Sequence, residues 1–219
     1  MTSERFGALC AVVVAVGFVA GLALLDLPGH DDGEERLNEF YSEPGNRIRI
    51  ILGAYAWAMA GCGLIGLGAT LTSRAERAGA DLASKVMLLS CGAAAVMLIA
   101  AGAAQVPTYA LSISAFDEPE STLTRATIPH IGYSLLLFSM LAAAGFIAAV
   151  GAAIRKARML PVWTAWLSFV AAFLLLFSII FMPMLLFPAW ALVMAAVLWR
   201  AAPLARATIE VSGGGVVGS

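Results

Sequence analysis

The sequence predicts an all-α fold: a polytopic transmembrane helical bundle of six spans, both termini cytoplasmic, with a short amphipathic helix in the first outer loop. Three observations predict it. Of 219 residues, 61% are hydrophobic and 12% charged, where soluble domains carry about 25% charge. Six apolar stretches have the length of a bilayer crossing or come close to it. The basic residues divide unequally between the two sides of those stretches.

A hydrocarbon core of about 30 Å needs about 20 apolar residues in a helix. Helix is the required form, because backbone polar groups in lipid find partners only within the segment. The expected spans are residues 6–25, 50–69, 86–104, 131–154, 160–182 and 184–199. They make residues 1–219 a single transmembrane domain, ended by a flexible tail, 211–219, of sequence VSGGGVVGS. The first span is read as uncleaved. Its 20 residues exceed the roughly 7–15 of a signal core, and no small-x-small cleavage site follows. The last two stretches together run 40 residues, roughly 60 Å as one helix, too long for one crossing. Pro183 and Pro188 are expected to break them into a tight hairpin, since proline lacks a backbone donor and clashes with the preceding turn.

Orientation follows from lysine and arginine, which concentrate on the cytoplasmic side. With the N-terminus inside, the inner side holds Arg5, Arg74, Arg77, Lys85, Arg155, Lys156, Arg158, Arg200 and Arg206. The outer side holds Arg36, Arg47, Arg49 and Arg125. Nine against four of the 13 basic residues favours both termini cytoplasmic and an even number of spans. Trp163, Trp166 and Trp199 then fall at the inner interface, where amphipathic rings belong.

The first outer loop, residues 27–49, is the densest run of charge. Pro28-Gly29 is a turn signal. Leu37, Phe40 and Tyr41 recur at i, i+3 and i+4 among Glu34, Glu35, Arg36, Asn38 and Glu39, the pattern of a helix lying along an apolar surface. Pro44-Gly45 is expected to end it, with Asn46 as N-cap of the second span. Two readings stay open: a solvated connector, or a lid whose Glu34, Glu35, Glu39, Phe40 and Tyr41 meet a partner.

Within the spans, small residues recur. Gly17 and Gly21 form a GxxxG pair. Ala54, Ala58, Cys62, Gly66 and Thr70 repeat every four residues, as do Ala144, Ala148 and Ala152. Such stripes let helices approach closely in lipid, inside one bundle or between copies, so a homo-oligomer or a membrane-protein partner is a candidate alongside the bilayer.

No Asp, Glu, Lys, Arg or His lies inside the six spans. Ion-coupled carriers place ionisable groups near the midplane, so their absence disfavours that class. Two histidines a hundred residues apart give no haem pair, and a metal site from His30, Asp31, Asp32 and His130 is only a weak alternative. Cys10, Cys62 and Cys91 share no metal-binding spacing and read as small buried hydrophobes. GCGLIGLG in the second span follows no strand, so it reads as packing and not a nucleotide loop. Net charge is −1, which offers no nucleic-acid face. No cofactor and no catalytic residue is expected.

What polarity exists is outside. All four tyrosines, both histidines and ten of the 14 acids fall in the outer loops or the outer parts of spans. Gln105, His130, Tyr133 and Ser134 lie at similar depth and are the candidate outer-rim ligand contacts.

The segments FYSEPGNRIRIILGAYAW, HIGYSLLLFSMLAAAGF and RMLPVWTAWLSFV resemble those of small six-span bacterial membrane proteins, common in actinobacteria, whose domain has no assigned function. The resemblance implies the same fold and location and no reaction. The expected function is a non-enzymatic interaction or ligand-binding module with its polar face outside. The alternative is a small carrier or channel-like protein for an uncharged or lipidic solute. A closed, Ala/Gly-packed bundle favours the first, and a continuous polar cavity the second.

Overall fold

The computed structural model describes residues 2–25, 39–40, 43–110, 122–178 and 182–213. They form six α-helices: α1 Ser3–Leu24, α2 Pro44–Arg77, α3 Asp81–Ala110, α4 Thr122–Ala157, α5 Val162–Leu175 and α6 Leu186–Gly213. No strand occurs among the described residues. Helices α1 to α4 and α6 each supply a stretch long and apolar enough to cross a membrane. The chain is a multi-pass helical membrane protein.

The helices outrun the hydropathy windows. α2 has 34 residues and α4 has 36, about 50 Å each at 1.5 Å per residue, so both project well past a hydrocarbon core of about 30 Å. The N-cap of α2 is Glu43, with Pro44 at the first helical position, not Asn46 as expected. Proline starts a helix readily because its fixed φ suits one and the amide it lacks has no helical acceptor there. Asn46 instead ties down the chain before the helix. Its Nδ2 donates to the Phe40 carbonyl at 3.1 Å and to Glu43 Oε2 at 3.0 Å.

The fifth element differs most from expectation. α5 has 14 residues, about 21 Å, short of a full crossing by itself. The α-helix ends at Leu175, and the Leu176 and Phe177 amides close three-residue turns onto the Phe173 and Leu174 carbonyls. A 3-10 turn, Met182–Leu185, then leads into α6. The break therefore lies upstream of Pro183. A proline disrupts the turn that precedes it and is tolerated in the first turn of a new helix, which is where Pro188 sits.

Packing proceeds in a chain of neighbours. α1 lies against α2 and α6, α2 against α3, α3 against α4, and α4 against α5, while α5 and α6 touch only sparingly. The GxxxG pair is consumed inside the molecule. A side chain at Gly17 would strike the Ala56 carbonyl, and one at Gly21 would strike the Trp57 ring, both on α2. Gly17 and Gly21 thus let α1 and α2 close on each other, as small residues do in lipid. The α2–α3 turn closes on Gly79 at φ +77°, with its amide on the Glu76 carbonyl and the Ala80 amide on the Ala75 carbonyl, a left-handed helix cap that glycine adopts without strain.

Aromatic side chains fill the centre. Phe18 meets Phe187 edge to face at 5.4 Å, and Phe146 meets Trp190 at 5.8 Å. The Trp190 indole N–H donates to Ser168 Oγ at 3.0 Å, and Ser168 donates in turn to the Thr164 carbonyl at 2.8 Å. That buried link joins α6 to α5 where their backbones stand apart. Outside, Val16, Leu89, Val96 and Phe138 are exposed, an apolar flank suited to lipid and out of place in water.

Candidate functional site

Two clusters of polar groups stand at opposite ends of the bundle. At the first, Gln105 on α3 is completely buried. It fits because its neighbour on α4 is Gly132: a side chain there would collide with the Gln105 amide nitrogen. One residue on, the half-buried Tyr133 donates from its hydroxyl to the Leu25 carbonyl at 2.8 Å. That carbonyl belongs to the C-cap of α1, where orphan helix acceptors require outside donors. Gln105, Gly132, Tyr133 and Leu25 thus bind α1, α3 and α4 together at one end.

Of the four candidate rim contacts, the structure brings Gln105 and Tyr133 inward. His130 and Ser134 are exposed, one helical turn apart on the outer face of α4, with Tyr133 at its border. Of the loop candidates, Glu39 is exposed, while Phe40 is partly buried against the hydrophobic core. Phe40 therefore faces the bundle. Glu34, Glu35 and Tyr41 lie outside the described residues, as does most of the expected amphipathic helix.

Trp57 is a contributor that sequence reasoning passed over. It is fully buried, and its indole N–H has no acceptor among the described residues. It lies against Gly21 of α1 and beside Gly102 of α3, where its ring fills the space that three helices leave near the Gln105 level.

The opposite end is a structural clasp. Glu4 of α1 is buried, and its carboxylate lies 4.0 Å from an Arg74 guanidinium nitrogen on α2. Arg74 Nε donates to the Met159 carbonyl at 3.0 Å, in the α4–α5 turn where Arg158 adopts φ +50°. One arginine holds three segments. Nothing in the spacing of positions 4, 74 and 159 announces this; only the expectation that all three lie on the same side of the membrane was available. Arg5 stacks over Trp199 at 5.7 Å and Arg155 over Trp166 at 5.2 Å, so this end also carries an aromatic and cationic belt.

Among the described residues no three His, Cys, Asp or Glu side chains converge as metal ligands. His30, Asp31 and Asp32 lie outside those residues. The cysteines divide: Cys91 is buried and donates to the Leu64 carbonyl at 3.2 Å, Cys10 is half-buried, and Cys62 is exposed on the lipid-facing side. The expectation of three buried thiols fails for Cys62, whose position in the four-residue repeat of α2 turns outward.

The geometry describes a filled bundle with polar ends. Comparison with protein-family models, curated proteins and solved structures finds no match.

Proposed function

We propose that this protein is a non-enzymatic interaction or ligand-binding module of a bacterial inner membrane. It crosses six times, with both termini cytoplasmic, and it belongs with the small six-span proteins whose segments it resembles. The fifth crossing contains α5. The Gln105–Tyr133 end faces outward and presents Glu39, His130 and Ser134 to a partner or a polar ligand.

One observation carries this reading. The bundle interior is filled by Trp57, Trp190, Phe18, Phe146 and Phe187, all at most 2% exposed, while the exposed charged side chains among the described residues sit at its ends. A filled interior gives a solute no route and a reaction no enclosed polar chamber. The test is photo-cross-linking in native membranes from positions 39 and 134, with position 89 on the lipid flank as control. Discrete adducts from the first two and none from the third are expected. No adduct from either rim position contradicts the reading.

The second reading, a small carrier for a lipidic solute, is favoured by the α5–α6 seam, held by the Trp190–Ser168 bond. Locking that seam with a cysteine pair abolishes such a carrier and leaves a binding module intact.

A further inference from the structure

Two grooves run along the flank where α1 and α6 meet. One, of about 290 Å³, lies between Ala8 and Val12 of α1 and Ala196 and Trp199 of α6. The other, of about 610 Å³, extends from there to Ala23 and Leu185. Leu192 borders both, so they form one furrow. From Ala8 to Ala23 it spans about 22 Å along α1, more than the depth of one leaflet, about 15 Å.

The mouth of the furrow differs from its walls. Arg5, one turn before Leu9, is exposed and stacks on Trp199. Its neighbour Glu4 turns away to Arg74, and Arg5 has no carboxylate partner among the described residues. Arg200, next to Trp199, is exposed as well. Cations above an apolar furrow, at the level of an aromatic belt, complement a phosphate ester carrying a fatty chain. A second copy of the chain is a poorer occupant. Seated furrow to furrow about a two-fold axis along the bundle, it would bring the arginines of both mouths to one level, like charge facing like charge.

We propose that this furrow is a binding site for an anionic glycerophospholipid, with one acyl chain between α1 and α6 and the phosphate on Arg5. The site lies at the opposite end from the Gln105–Tyr133 rim, and its test is independent of what that rim binds.

Native mass spectrometry of the detergent-purified full chain, given equal phosphatidylglycerol and phosphatidylcholine, tests it. The wild type retains phosphatidylglycerol over phosphatidylcholine by about fivefold, the preference one surface arginine supplies toward an anionic lipid. Arg5→Gln brings the two lipids to near parity. Arg77→Gln, an exposed cation at the same end but off the furrow, keeps the preference. Ala196→Phe, which fills the furrow from an exposed position, lowers retention of both lipids. Equal retention by the wild type, a preference that survives Arg5→Gln, or a lipid-free dimer overturns the proposal.

Discussion

Tyr133 and Leu25, 108 positions apart, are joined by a 2.8 Å hydrogen bond from the tyrosine hydroxyl to the leucine carbonyl. The bond spans from α4 to the last carbonyls of α1, which helix geometry leaves without amide partners. It closes the polar end of the bundle with a side chain that is apolar in body and polar at its tip.

Tyr133→Phe removes that donor and leaves the ring. The expected loss is about 1 kcal/mol, the scale of a hydrogen bond between membrane helices. That lowers the melting temperature in detergent by about 2–4 °C. An unchanged melting temperature would mean that water replaces the hydroxyl at no cost and that the end of α1 does not depend on α4.

The α1–α2 contact makes a paired prediction. Gly21→Ala places a methyl group inside the Trp57 ring and costs about 1–3 kcal/mol by overpacking. Gly92→Ala meets nothing within 4 Å and is neutral or stabilising by up to about 1 kcal/mol, because alanine is the better helix former. Thermal unfolding of the two variants side by side checks the contrast.

Arg74 is predicted to be irreplaceable by lysine. Arg74→Lys keeps the charge opposite Glu4 but loses the planar Nε donor to Met159. The cost is about 1.5–3 kcal/mol, that of a hydrogen bond from a charged group. Its readout is faster proteolysis at the α4–α5 turn. Glu4→Gln combined with Arg74→Lys costs less than the sum of the two changes, because the two residues share one contact.

The helices were legible in the sequence because lipid leaves the backbone no other choice, and hydropathy marks the buried length of each. Their ends were not. Hydropathy measures membrane thickness, while α2 starts at Pro44 and α4 at Thr122 because helical hydrogen bonding continues into water. Pro183 announced a break, but the α-helix ends at Leu175, eight residues upstream and beyond the single turn a proline disrupts, so the proline did not mark the helix end. Gln105 stood out as a polar residue at a span end. Its burial depended on Gly132, a residue remarkable only for what it lacks. Glu4, Arg74 and Met159 share no periodicity, and their clasp exists only once three chain segments have been packed.

Cysteine labelling tests the outward placement of the Tyr133 rim most directly. In a chain with Cys10, Cys62 and Cys91 replaced, single cysteines at Glu39, in the segment before α2, and at Arg77, the last residue of α2, report the two ends of the bundle. An impermeant maleimide added to intact bacterial cells is expected to label position 39 and to label position 77 only after lysis. Labelling of position 77 in intact cells with position 39 protected would turn the rim toward the cytoplasm and contradict the proposed function.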